Sequence, residues 1–141
     1  MTVSTTPVAV GAALPPWELP VTPTLITSTA IATRDFQDVH HDRDLAVERG
    51  SKDIFLNILT STGLVQRYVT DWAGPRALVR GISIRLGVPA YPYDALTFTG
   101  SVRERVDIAG EERFLVDVRG SNSLGDHVTG TVTIAVAGGA S

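Results

Sequence analysis

The sequence predicts an α+β fold: a single domain in which an antiparallel sheet wraps one long central helix. Three observations carry this reading. One long run, Asp53 to Trp72, repeats apolar residues at helical spacing. Four later runs alternate apolar and polar residues and are separated by short turn signals. A β-prone stretch, Leu25 to Ile31, precedes the helix.

Taken in order, residues 1–23 are rich in Pro, Thr and Ala, with Pro15, Pro16, Pro20 and Pro23, and read as an irregular N-terminal arm. Trp17 and Leu19 are the residues that would pin it to the body. The domain itself spans 24–137. Leu25–Ile31 is β-branched and Thr-rich, hence a first strand. Asp44–Gly50 reads as one or two helical turns, with Asp42 or Asp44 as N-cap and Gly50 as its stop. In the long helix Ile54, Ile58, Val65, Val69 and Trp72 share a face, Asp53 is the N-cap, and Gly74-Pro75 ends it. Gly63 costs about 1 kcal/mol of helix propensity relative to Ala, which points to close approach by the sheet.

The last part is strand. Leu78, Arg80, Ile82, Ile84, Leu86 and Val88 alternate with Ser83 and Arg85. Leu96, Phe98, Gly100 and Val102 form a second such face. Phe114, Val116 and Val118 form a third after a turn at Ala109-Gly110, and Val128 to Val136 a fourth after a turn at Ser123–Gly125. The tail from Ala137 reads as frayed. Strands joined by short turns give an antiparallel sheet, and one apolar helix against it gives two layers, the hot-dog arrangement. Such a unit leaves a sheet edge to be covered, so a dimer or larger assembly is expected.

Composition narrows the function. The chain is 43% apolar and 19% charged with net charge −3, and it has no Lys/Arg cluster, which removes the usual footprint of a nucleic-acid binder. It has no cysteine, which excludes disulfides, thiolate metal sites and a Cys nucleophile, and fits a reducing, cytoplasmic setting. No run of about 18 apolar residues predicts a membrane span. Met1–Gly11 lacks the basic region of a signal peptide.

Chemistry concentrates in Thr33-Arg-Asp-Phe-Gln-Asp-Val-His-His-Asp-Arg-Asp44, which holds two of the three histidines and four carboxylates without apolar periodicity. Asp35 and His40 are the candidate acid–base pair, because a carboxylate and an imidazole with a pKa of about 6.5 can together move protons near neutral pH. From spacing alone a second reading stays open, in which Asp35 caps a turn and His40 is exposed. A metal site built from His40, His41, Asp42 and Asp44 is disfavoured, since adjacent residues rarely point at one ion. Arg34 is expected to pair with a carboxylate. His127 is expected at a turn or strand end, and Tyr91 and Tyr93 in packing or at an interface. Arg80 or Arg85 could reach a phosphate.

Asp35-Phe-Gln-Asp-Val-His40 resembles the motif Asp-x-Asn-Pro-x-His of MaoC-like enoyl-CoA hydratases, with Gln37-Asp38 in place of Asn-Pro. Gly87-Val-Pro89 to Asp94-Ala-Leu96 is similar to that family's strand-entry segment, with Tyr93 where the family has Gly. The longer string Arg34–Asp44 followed by Gly50-Ser-Lys-Asp-Ile-Phe55 resembles the small subunits of actinobacterial steroid side-chain enoyl-CoA hydratases, and the likeness extends over residues 24–136. The resemblance implies addition of water across a trans-2-enoyl-CoA by Asp35 and His40. It also implies a larger related hot-dog subunit as partner in a heterotetramer, an acyl-CoA groove between the two, and no cofactor beyond the coenzyme A of the substrate. The enolate oxygen would meet a backbone N–H at the start of the long helix, for which Ile54 is the candidate. A hot-dog acyl-CoA thioesterase and a non-catalytic acyl-CoA-binding subunit are the alternatives.

Overall fold

The computed structural model describes residues 8–136. Five strands form one antiparallel sheet: β1 (Ala13–Val21), β2 (Ala77–Leu86), β3 (Asp94–Ile108), β4 (Glu111–Asn122) and β5 (Gly125–Val136), in the spatial order β1-β3-β4-β5-β2. The sheet curves around α3 (Ile58–Ala73). Two shorter helices, α1 (Pro23–Ala32) and α2 (Arg43–Glu48), and a 3₁₀ turn at Asp38–His40 fill the connection before α3.

Leu64, Val65, Tyr68, Val69 and Trp72 of α3 are buried against Phe98, Val102, Val116, Val118, Val128, Val132 and Ile134 of the sheet. The third, fourth and seventh positions along α3 place these residues on one stripe, while alternate residues of each strand face it. Tyr68 sets the depth of the contact. Its ring lies 3.4 Å from where a Cβ on Gly100 would stand, and its hydroxyl donates to the Pro15 carbonyl at 2.8 Å. Burial pushes the phenol pKa up to about 12, so the group stays a neutral donor.

Two expectations about the first thirty residues are corrected. The part of the arm that the structure describes is not irregular: Ala13–Val21 is strand β1, paired with β3 from Ala13↔Ser101 to Val21↔Asp94. Its prolines are tolerated because β1 is an edge strand and the register shifts between Leu14 and Trp17, at the Pro15-Pro16 pair. Trp17 does pin the segment, stacking on Phe98 at 5.2 Å beneath the Arg67 guanidinium. Leu25–Ile31, expected as a strand, is helical. Thr22 caps α1 through its hydroxyl, which accepts from the Leu25 N–H at 3.0 Å, and Pro23 opens the first turn. The threonine that raised the strand propensity is absorbed by back-bonding, Thr29 Oγ1 to the Leu25 carbonyl at 2.6 Å.

Three further details differ. The long helix starts at Ile58, with Asn57 as N-cap, and Asp53 lies outside it. A register shift between Val79 and Gly81 re-phases β2, so Val79, Ile82 and Ile84 face inward while Leu78 and Arg80 are exposed. Gly63 is exposed and a Cβ there would meet nothing within 4 Å, so the sheet does not approach it. The turns expected at Ala109-Gly110 and before Gly125 stand where expected, the former with both residues at positive φ (55° and 79°). Residues 1–7 of the arm and the tail from Ala137 lie outside the described residues.

His127 stands at the start of β5, the strand-end position expected for it. It is buried, 2% exposed, and bridges three elements. Its Nδ1–H donates to the Val88 carbonyl at 2.7 Å, leaving Nε2 to accept from the Ser61 hydroxyl of α3 at 2.7 Å. Burial lowers its pKa below the ordinary 6.5, opposed by the bond to Val88. The neutral form therefore belongs to the fold. Its stability contribution is complete above the unfolded value of 6.5 and is lost as pH falls through the window below it.

Two stability predictions follow from these contacts. Denaturant midpoints should fall between pH about 7 and about 5.5, and His127→Gln should flatten that slope relative to the parent. Gly63→Ala should stabilise α3 by about 0.5–1 kcal/mol in the same titrations, because the exposed helix interior gains propensity without a clash.

Candidate active site

The loop from Thr33 to Asn57 is held by the ends of the three helices around it. Helix α1 closes with a Schellman pattern: Arg34 N–H donates to the Ile31 carbonyl (3.0 Å) and Asp35 N–H to the Ala30 carbonyl (2.9 Å), with Arg34 at φ 58°. That left-handed position usually goes to glycine, and an arginine holds it at a conformational cost of about 1 kcal/mol. The motif turns the chain sharply, so Asp35 leaves the end of α1 pointing toward α3.

His40 ends the 3₁₀ turn and is buried, 6% exposed. Its Nδ1 lies 2.7 Å from the Phe55 carbonyl, and a carbonyl can only accept, so Nδ1 carries the hydrogen. The Phe55 ring packs edge-on against the imidazole at 4.9 Å, and the Phe55 N–H returns to the Val39 carbonyl at 3.1 Å. With ring and tautomer fixed, Nε2 faces Asp35 Oδ2 at 3.4 Å. The structure thus brings Asp35 and His40 together, and the reading in which the histidine is exposed is excluded by its burial.

Asp35 is held from two sides. Oδ1 accepts from the Gln37 N–H at 3.3 Å, and Oδ2 accepts from the Asn57 side-chain amide at 3.2 Å. Asn57 is 1% exposed and also donates to Thr33 Oγ1 at 2.8 Å. One oxygen of a partly exposed carboxylate and the Nε2 of an imidazole therefore converge beside the first turn of α3. In that turn, Thr60 N–H is taken by Asn57 Oδ1 and Ser61 N–H by the Asn57 carbonyl. The structure gives no partner to the N–H of Ile58 or Leu59 among the described residues. Ile58 and Leu59 are each about half exposed and Phe36 is 66% exposed, so the dyad sits in an apolar rim.

The other expected residues are placed elsewhere. Ile54 is four residues before α3, and its N–H donates to the Asp53 carboxylate at 2.7 Å, which removes it as the helix-start donor. Asp53 is engaged there and with Arg43, at 3.6 Å. Arg80 is committed to a bidentate pair with Glu111 at 2.9 and 2.7 Å, which with Arg113 drives the Glu111 carboxyl down to about 2. Arg85 is exposed opposite Thr129 in the β2–β5 ladder. Neither arginine is brought to the dyad. His41 is exposed, while Asp42 turns away to cap α2 through the Leu45 N–H at 3.1 Å. No three His, Asp or Glu side chains converge as a metal cluster among the described residues. Arg34 forms no ion pair there; Asp38 is held instead by Arg49 at 2.7 Å.

Tyr91 packs edge-on to Phe55 beneath Lys52, whereas Tyr93 is 87% exposed at φ 71°. The positive φ explains why a glycine suits this position. Sequence reading missed Asn57, Thr33 and the Phe55 carbonyl. Only Asn57 carried a legible signal, an Asn immediately ahead of an apolar helical run.

No family model matches the chain. It is 61% identical over 127 residues to the 3-oxo-4,17-pregnadiene-20-carboxyl-CoA hydratase beta subunit of Mycobacterium tuberculosis, covering 90% of this chain and 95% of that protein. Among solved structures it is similar to the ChsH1-ChsH2 complex of the same organism, with TM-score 0.85 and 62% identity over 91% of this chain and 98% of that one. It shares its fold with the R-hydratase PhaJ1 of Pseudomonas aeruginosa, at TM-score 0.77 and 21% identity over 92% and 82% of the two chains. By identity and coverage, the chain belongs to the family of that hydratase beta subunit, built on the hot-dog fold.

Proposed function

We propose that this chain is the small, catalytic subunit of a hydratase that adds water across the double bond of a trans-2-enoyl-CoA, with a steroid side-chain acyl group as substrate. The observation that carries the reading is the convergence of Asp35 Oδ2 and His40 Nε2 beside the start of α3. The identity to a beta subunit named for a steroid acyl-CoA supports the choice of acyl group.

Water held between the two side chains gives its proton to His40 Nε2 while its oxygen bonds to C3. The electron pair of the double bond moves onto the thioester as an enolate. The imidazolium then returns the proton to C2 on the same face. Asp35 orients the water and stabilises the imidazolium, and the fixed Nδ1–H bond to Phe55 keeps Nε2 as the working nitrogen. The enolate oxygen is met by the N–H groups of Ile58 and Leu59, where the helix dipole favours negative charge. All atoms moved belong to water and substrate, so this chemistry asks for no further cofactor.

The apolar rim of Phe36, Ile58 and Leu59 fits one wall of an acyl groove whose other wall comes from a larger, related subunit. Among the described residues strand β2 ends the sheet, and it offers its edge for joining to the sheet of that partner. Two such pairs would make a heterotetramer, which native mass measurement checks directly. Among the described residues no helix is long and apolar enough to cross a membrane. A cysteine-free chain acting on coenzyme A thioesters fits a cytoplasmic assembly.

In the complex assembled with the partner, Asp35→Asn and His40→Ala should each lower kcat by about 10²–10⁴-fold. The assay is loss of the conjugated enoyl absorbance, with native mass confirming that the complex is intact. Intact complexes that keep their activity would remove both residues from the mechanism. Release of free coenzyme A in place of hydration would turn the reading into a thioesterase.

A further inference from the structure

We infer that Asn57 is a positioning residue of the acid–base site: its side-chain amide clamps the Asp35 carboxylate to the start of α3, fixing the water-orienting carboxylate relative to the helix terminus. This deepens the proposed function and rests on it.

The geometry assigns the amide without ambiguity. Asn57 is 1% exposed, so each of its polar atoms needs a partner within the protein. Nδ2 donates one hydrogen to Thr33 Oγ1 at 2.8 Å and the other to Asp35 Oδ2 at 3.2 Å. Oδ1 accepts from the Thr60 N–H at 3.3 Å and from the Thr60 hydroxyl. Rotating the amide by half a turn would set an oxygen against the carboxylate and an NH₂ against the Thr60 N–H, two repulsive contacts in place of two bonds. Thr33 Oγ1 can accept because its own hydrogen is given to the Thr29 carbonyl at 2.8 Å. The network therefore has one direction, from the end of α1 through Asn57 to the first turn of α3.

Two consequences follow for Asp35. The N–H donor on Oδ2 fixes the direction of that oxygen and so the place at which it can accept a hydrogen from water. The same residue is the N-cap of α3, so the carboxylate and the first N–H groups of the helix move as one body. Among the described residues, His40 is the titratable side chain that faces Asp35, from the 3₁₀ turn. The loop itself offers only the Gln37 N–H, and α3 offers only Asn57.

The test compares Asn57→Asp with Asn57→Ser in the assembled complex. Both replacements retain an N-cap oxygen, so a purely structural role is largely preserved. N57D places a second carboxylate about 3 Å from Asp35, where two like charges cannot both ionise. It should lower kcat at neutral pH at least about 100-fold and move the acidic limb of the kcat–pH profile upward by about one pH unit or more. N57S removes the donor without adding charge. It should lower kcat about tenfold with KM within about threefold and shift the limb far less.

Full activity with an unmoved pH profile in both variants overturns the inference. Failure of both to assemble also overturns it, since Asn57 would then be a folding residue only. If N57D alone fails to assemble, the kcat–KM split of N57S decides. D35N is run beside them. If D35N retains activity, the proposed function has failed; if D35N is inactive while the Asn57 variants are normal, only this inference has.

Discussion

The seating of α3 in the curved sheet is the contact on which the other features depend. Tyr68 is the gauge of that seating. Its ring occupies the space left by the missing side chain of Gly100, Trp17 and Phe98 stack beside it, and its hydroxyl reaches across to the Pro15 carbonyl of the edge strand. A Cβ at Gly100 would also stand 2.8 Å from the Asp117 carbonyl, so the close approach is built into the sheet backbone as well as the helix. Close-packed interiors transmit small displacements, and moving α3 outward would carry Asn57 with it. Nearer the N-terminus of the helix, on the same buried face, Ser61 and His127 lock its first turns to β5 and to the Val88 carbonyl. The N-terminal end of α3 is thus fixed from the sheet before any residue of the loop is considered.

What the sequence disclosed, and what it hid, follows from the range of the interactions involved. The four C-terminal strands and the buried stripe of α3 were legible because alternation and helical periodicity report a long, one-sided burial. The dyad was legible because ionisable residues crowd into a stretch with no apolar period. Leu25–Ile31 was misread because β-branched content outweighed Thr22-Pro23, a cap followed by a proline that marks a helix start. The proline-rich β1 was misread because its prolines matter only for a central strand, and edge position is a property of the folded sheet. Asp53 and Asn57 lie four residues apart, one helical turn, so both fit the phase of α3. Tertiary contacts chose between them, since only Asn57 meets Thr33 and Asp35.

The same comparison explains the arginines. Arg80 and Arg85 were drawn to a ligand role by charge alone. In a folded sheet, an arginine finds a nearby carboxylate, as Arg103 of β3 finds Asp117 of the adjacent β4 at 2.9 Å and Arg80 of β2 reaches past β5 to Glu111 at the start of β4. Positive charge on the strands therefore serves pairing with carboxylates of the same sheet, which solvent screens at exposed positions. The dyad itself contains no arginine. Its electrostatics come from a carboxylate, an imidazole, backbone carbonyls and the end of a helix.

Irregular backbone at a site must still satisfy its hydrogen-bonding groups, and here helix ends supply the means. The C-terminal carbonyls of α1 are closed by the N–H groups of Arg34 and Asp35, which aims the Asp35 side chain. The N-terminal N–H groups of α2 are met by Asp42, which keeps that carboxylate out of the site. Asn57 meets those of α3 with its oxygen and uses its nitrogen for Asp35. Each capping interaction that a helix requires for its own stability also fixes, or removes, one ionisable group. Positioning the acid–base pair thus needs few contacts beyond those the three helix termini already demand. A connection with only a 3₁₀ turn and one short helix of its own can then hold Asp35 and His40 at 3.4 Å.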